Sequence, residues 1–248
     1  MKQLARNPAL DAVTLRRSYE AEGRVRIPEL LIHEPLRGLH GDIVARDDWR
    51  RVINVPGGVL ELSRDDRAAM SEDETRALDR QIDERACLGF QYRYEGLRIP
   101  EPDAQGDNAL QTIAQLMASA AMLGFLEQVI GRSGLTFTEG QVTAYASGDF
   151  LTCHDDKVPG RDRVAAFVLG MTPRWRPEWG GLLLFHADDD SQVTGHVPRF
   201  NTLDLFSVPQ RHSVSTVTTA APGRRLAITG WLSTISSKNS AKSAACND

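Results

Sequence analysis

The sequence predicts a mainly β fold with α-helices, a jelly roll or barrel supported by an N-terminal helical layer. Three observations predict it. From Gly131 onward, apolar residues fall in short runs at 135–137, 141–145, 164–171, 182–185, 203–206, 214–217 and 225–231, with turn residues between them. Many short strands at near-regular spacing suggest a closed or two-layered β architecture. Before that point the period is helical, most clearly at Leu110, Ile113, Leu116, Met117, Ala120, Leu123 and Leu126, a stripe that covers a core. Finally, 41% hydrophobic residues in a chain of 248 suffice for a sizeable interior, in one large domain or two small ones.

Each element has its own signal. Spaced apolar residues suggest a helix over 9–22, and Arg24-Val25-Arg26-Ile27 a short strand. Pro28 suits the first turn of a helix, running over 29–45 and broken near Gly38 and Gly41. Residues 52–55 and 59–62 flank Pro56-Gly57-Gly58 as a hairpin. Ser71-Glu72-Asp73-Glu74 is a capping box before a helix to Cys87. Residues 90–94 alternate as a strand, 100–107 form a loop, and 109–130 form one helix. The Ser/Lys/Asn/Ala-rich stretch 236–248 reads as a disordered tail. The expected organisation is a support region, 1–134, integral to the domain whose β core is 135–235.

Bulk properties narrow the function. A net charge of −4 and a pI near 5.9 argue against a dedicated nucleic-acid binder. No apolar run reaches membrane length and no signal-peptide core is present, so the expectation is no membrane partner and a cytoplasmic location. Cys87, Cys153 and Cys246 are an odd, scattered set that reads as reduced thiols. Cys153 adjoins His154 and reads as a small apolar filler.

The chemistry concentrates between Tyr145 and Trp231. In extended chain, His154 and Asp156 would point to one face and reach one cation together. His212 supplies a third candidate ligand. Two histidines and one carboxylate on one side of a metal leave the other side open, the ligand set of non-haem Fe(II) oxygenases. The alternative for His154-Asp155-Asp156 is a hydrophilic surface turn. A second triplet, His186-Ala187-Asp188, lies too close to His212 for the intervening strands and reads as a solvated turn. Arg225 offers a planar fork for a carboxylate. Strand parity puts Arg225, Ala227 and Thr229 on one face, Leu226 and Ile228 on the other. Thr229 is then a candidate hydroxyl beside the ligand, and Trp231 reads as packing.

In order, Tyr145, His154-x-Asp156, Trp179-Gly180-Gly181, His212 and Arg225-x-Ala-Ile-Thr-x-Trp231 resemble the 2-oxoglutarate- and iron-dependent dioxygenases, in particular the prolyl-4-hydroxylase-like branch. The resemblance covers about residues 135–235. It implies a double-stranded β-helix, the distorted jelly roll, with Fe(II) on His154, Asp156 and His212. It also implies 2-oxoglutarate and O2 as cosubstrates, with ascorbate as an optional reductant. Arg225 would bind the distal carboxylate of 2-oxoglutarate, with a hydrogen bond from Tyr145. The implied reaction hydroxylates an unactivated C–H bond and releases succinate and CO2. The implied substrate is a prolyl residue of a protein or peptide. Two other readings stay open, a hydroxylase of a free amino acid or other small metabolite and a non-catalytic jelly-roll binding module. Arg174-Trp175-Arg176-Pro177-Glu178-Trp179 is expected either to cap the barrel or to form a rim for a peptide, with part of 90–107. Asp188-Asp189-Asp190 nearby would favour a basic target.

Overall fold

Local caps set the helix ends. The computed structural model describes residues 4–106 and 108–234; the expected tail at 236–248, Cys246 and the loop residue Asp107 lie outside the described residues. Helix α1 (Ala12–Glu22) starts where the Asp11 side chain accepts from the Val13 N–H and stops at Gly23 in the left-handed region. Strand β1 (Arg24–Pro28) follows. Pro28 closes this strand instead of opening a helix, as it can at the edge of a sheet where no ladder bond is lost. Helix α2 (His33–Val44) begins later and runs unbroken through Gly38 and Gly41. Its buried face of Leu36, Leu39 and Ile43 outweighs the glycine penalty.

The hairpin of β2 (Arg50–Val55) and β3 (Gly58–Leu62) forms as expected. Helices α3 (Arg64–Ala69) and α4 (Glu72–Leu88) each begin with a complete capping box, Ser63 with Asp66 and Ser71 with Glu74. The single helix expected over 109–130 is two, α5 (Ala109–Ala118) and α6 (Ala120–Ile130), bent by 53°. The Ser119 hydroxyl accepts from the Met122 N–H, a cap that competes with helix continuation. The predicted stripe is still core, with Ile113, Met117 and Leu126 buried. No single helix among the described residues is long and apolar enough to cross a membrane.

The remaining strands are β4 (Tyr92–Arg98), β5 (Leu135–Tyr145), β6 (Phe150–His154), β7 (Arg163–Gly170), β8 (Leu183–His186), β9 (Val193–His196), β10 (Thr202–Ser207), β11 (His212–Val214) and β12 (Arg225–Thr234). The runs expected at 135–137 and 141–145 are one strand, while β6 and β9 have too little apolar alternation to be foreseen. One antiparallel sheet runs β1-β10-β7-β12-β5-β4-β6-β11-β8-β9, with the β2–β3 hairpin attached to β4. Its two edges meet through side chains. Arg26 on β1 donates to the Val197 carbonyl (2.6 Å), and His196 on β9 pairs with Asp204 on β10 (2.8 Å). The curled sheet with helices is the mainly β jelly roll the sequence predicts. One face, with Ile27, Val142, Leu169, Leu203, Leu205 and Ile228, packs in the same core as Leu36, Ile113, Met117 and Leu126 of the helices. Alternate residues Ala166, Val168, Phe206 and Ala227 face inward with Leu183 and Phe185.

Candidate active site

Antiparallel pairing of β6 with β11 places His154 opposite His212, ring centroids 4.1 Å apart. Each ring is anchored in the same way. Nδ1 of His154 lies 3.1 Å from the Thr152 carbonyl, and Nδ1 of His212 lies 2.7 Å from the Gln210 carbonyl. A carbonyl can only accept, so each Nδ1 carries the proton and each Nε2 presents its lone pair. The Nε2 atoms face the two oxygens of Asp156, each at 3.4 Å. One donor atom from each of the three residues lies within 4.8 Å of the others.

Asp156 reaches this position by a route the sequence argument missed. β6 ends at His154, and Asp156 has φ of 61°, in the left-handed region that aspartate tolerates better than most residues. The carboxylate therefore folds back from a turn and does not share a strand face. Asp155 accepts from the Lys157 N–H, consistent with its exclusion from the ligand set. Burial alone would raise the pKa of Asp156, but the edges of His154 and His212 that face it hold it below the usual value. Burial and the neighbouring His154 push His212 down to about 4. Neutral imidazole and ionised carboxylate are the protonation states a divalent cation requires. Open, hard-to-borderline N,N,O donors with fixed tautomers fit Fe(II).

The other end of the pocket is cationic. Arg225 lies opposite Tyr145 in the β12–β5 ladder, with its guanidinium carbon 5.0 Å from the tyrosine ring centroid. It is 3% exposed, and its Nε has no hydrogen-bond partner. Among the described residues no carboxylate forms an ion pair with it. A buried, unmatched guanidinium is costly unless an anion arrives. Burial lowers its pKa and pushes the Tyr145 phenol up. The strand-parity assignment holds: Arg225 and Thr229 line the pocket, whereas Leu226 and Ile228 enter the helix-facing core. Arg224 points elsewhere, to Glu95 at 2.7 Å and over the Trp49 ring. The Thr229 hydroxyl lies 3.5 Å from the Gln141 carbonyl. Gly180 and Gly181 both have positive φ. A Cβ on Gly181 would sit 3.3 Å from Cδ of Arg225, so these glycines let the backbone pass close to the cationic end.

Leu151, Leu183, Phe206 and Val214 wall the cavity of about 60 Å3 between the two ends. It shares Tyr94, Gln141 and Trp231 with a polar groove of about 850 Å3. Trp231, expected to be packing, therefore stands at the junction. Its buried Nε1 lies beside Asp156, whose pKa it helps to lower, and Arg163 stacks 3.9 Å above its ring. Arg163 also donates to the Asp156 carbonyl and pairs with Glu139. Phe90 lies against His154 and Phe206 against His212.

Several expectations resolve differently. His186 bonds to the Ser213 hydroxyl and Asp188 sits in an exposed turn, so the second triplet is outside the site, as expected. Trp175 and Trp179 line neither the pocket nor the groove. The expected rim is thus confined to the other segment, Tyr92 to Glu101. Asp188-Asp189-Asp190 also lies off the groove, where five arginines face four carboxylates. The acidic-rim argument for a basic target therefore fails. Phe90, Tyr94, Arg163 and Phe206 were not foreseen. Alternation over 90–94 was the signal available for the aromatics; nothing in the sequence singles out Arg163.

Comparison with known proteins agrees with this geometry. A model of the 2OG-Fe(II) oxygenase superfamily matches residues 140–233. Prolyl 3-hydroxylase OGFOD1 of Xenopus laevis is 40% identical over 95 residues, 35% of this chain and 18% of that protein. Prolyl 3-hydroxylase sudestada1 of Drosophila melanogaster is 34% identical over 110 residues, 39% of this chain and 20% of that one. The chain thus matches about a fifth of the length of these relatives. Among solved structures, an oxidoreductase of the 2OG-Fe(II) oxygenase family from Burkholderia pseudomallei superposes with a TM-score of 0.62 at 16% identity, covering 94% of this chain and 96% of that one. A prolyl hydroxylase from Trichoplax adhaerens, in complex with a hypoxia inducible factor oxygen degradation domain peptide fragment, gives 0.60 at 15% identity, covering 92% and 91%. At such identities the structural likeness is one of fold.

Proposed function

We propose that this chain, a member of the prolyl-hydroxylase-like branch of the 2OG-Fe(II) oxygenases over residues 140–233, hydroxylates prolyl residues of a polypeptide. The observation that carries the reading is a pair of adjoining spaces. A two-ended pocket, with a histidine–aspartate–histidine triad facing a buried unmatched arginine, adjoins a larger polar groove along Tyr94, Gln141 and Trp231. A free amino acid needs no such groove.

His154, Asp156 and His212 would hold Fe(II). With 2-oxoglutarate and O2 the metal supplies the oxidising power for C–H hydroxylation, releasing succinate and CO2. The protein's own contributions follow from the geometry. Arg225 pairs with the distal carboxylate of 2-oxoglutarate, and the Tyr145 phenol, too buried to ionise, can only donate to it. The Thr152 and Gln210 carbonyls keep both imidazoles in the metal-binding tautomer. Leu151, Leu183, Phe206 and Val214 keep water from the reacting centre. Since the curated relatives are named prolyl 3-hydroxylases, C3 of the ring is the first position to inspect.

The test is succinate release by the iron-loaded protein. Proline-containing peptides should stimulate it and gain the mass of one oxygen atom. Stimulation by free proline, with none by any peptide, would transfer the activity to a small-molecule hydroxylase. No 2-oxoglutarate turnover under any condition would leave a binding module.

A further inference from the structure

Arg174 and Trp175, unused by the pocket, line a separate cleft of about 510 Å3 at the seam where the sheet edges meet. Arg26, Arg174, Trp175, His196 and Arg199 supply its chemistry, with Pro173 and Pro198 as apolar walls. It shares no lining residue with the metal pocket. Both Arg26, from the neighbouring strand, and His196, from across the seam, are committed to Asp204. Arg174 and Arg199 are not committed: both are exposed, and neither makes a hydrogen bond or ion pair within the described residues. No carboxylate lines the cleft, although the chain as a whole is acidic. Trp175 is held rigidly, its Nε1 donating to the Gly180 carbonyl at 2.8 Å and its ring packed edge-on against Trp179.

We infer that this cleft is a docking site for a short acidic peptide segment. Two free guanidinium forks suit carboxylates, while a fixed indole and two prolines provide flat apolar contact for the peptide stem at little entropic cost. Charge complementarity selects the peptide's acidity. The inference does not rest on the oxygenase reading, because the site is independent of the metal and of Arg225.

The test is fluorescence anisotropy of a labelled hexaglutamate peptide with the full chain, alongside hexaglutamine, a hexathymidylate oligonucleotide and inorganic phosphate. Hexaglutamate should bind saturably and more weakly as salt rises, and hexaglutamine should not bind. The double change Arg174→Glu and Arg199→Glu should weaken binding about tenfold or more, the scale that two exposed ion pairs can supply, with the circular dichroism spectrum unchanged. Asp156→Ala should leave the peptide affinity as it is, so failure of the oxygenase reading and failure of this one are separable. The proposal is overturned by absence of saturable binding or by equal affinity in the double variant. It is equally overturned by tighter binding of the oligonucleotide, or by phosphate displacing the peptide at matched charge concentration.

Discussion

Arg225 and Arg224 are neighbours with opposite fates, and they give the sharpest single-residue test. Truncating one partner of a buried charge pair costs about 3–5 kcal/mol, and about 1.4 kcal/mol is a factor of ten. Arg225→Ala should therefore raise the 2-oxoglutarate requirement about a hundredfold or more in a succinate-release titration. Arg224→Ala removes a partly exposed pair with Glu95. It should leave that requirement unchanged and cost about 1 kcal/mol of stability at most. Asp156→Ala should abolish turnover and Fe(II) binding by calorimetry without altering the fold. The metal-free protein should also be acid-sensitive. His212 has a folded pKa of about 4 against 6.5, so the unfolded chain binds its proton first. That stabilisation is present above about pH 6.5 and is lost as pH falls towards 4; Asp156, also depressed, adds to the loss at lower pH. The full His212 contribution is about 3 kcal/mol, readable from urea midpoints at stepped pH. The triad and Arg225 were legible from the order and spacing of the motifs that hold them, since arginine and aspartate are common in this chain. The Asp156 conformation was not, since spacing in sequence cannot distinguish a strand from a left-handed turn.

Elements were legible where a local signal decides them. The Pro56-Gly57-Gly58 hairpin and the Ser71 capping box are fixed by their own residues. The break at Ser119 and the unbroken α2 were not, because packing settles both: a helix with two glycines persists over a buried face, and a stripe of uniform period bends at one serine. Strand β9 has three exposed residues out of four and so lacks the alternation that reveals a strand. The Trp179-Gly180-Gly181 turn ahead of β8 shows how an element serves the site. A Cβ on Gly180 would lie 2.0 Å from the Thr216 carbonyl oxygen, at a φ of 68°. Gly180→Ala should destabilise the protein by about 2 kcal/mol or more, measured by urea unfolding. It should also weaken 2-oxoglutarate binding, since the displaced turn abuts Arg225.

At the scale of the whole molecule, the groove outside the pocket governs the substrate. Three of its charge clusters are already paired internally: Arg46 with Asp48, Arg98 with Glu61, and Arg161 and Arg163 with Glu139. Such a groove offers little net field, so proline peptides with basic, neutral and acidic flanks should differ less than tenfold in kcat/KM at physiological salt, where exposed charges are screened beyond about 8 Å. A larger preference for one sign would show that the internal pairs open on binding. The jelly roll was legible from strand count and motif order. The relation between groove and pocket was not, because its lining comes from segments as distant as Arg46 and Trp231.

The sheet order also separates the stretch that carries family resemblance from the unit that folds. Residues 140–233 hold every proposed ligand, yet β4 (Tyr92–Arg98) is hydrogen-bonded between β5 and β6, and β1 borders β10. Excised alone, the stretch would expose an unpaired strand flank beside the metal ligands and lose the helices that cover its apolar face. A fragment of residues 135–235 should therefore aggregate on expression. Co-expression with residues 1–134 as a separate chain should restore a soluble, iron-binding complex. The motif stretch is thus shorter than its folding unit, which draws two strands and a helical cover from the N-terminal region.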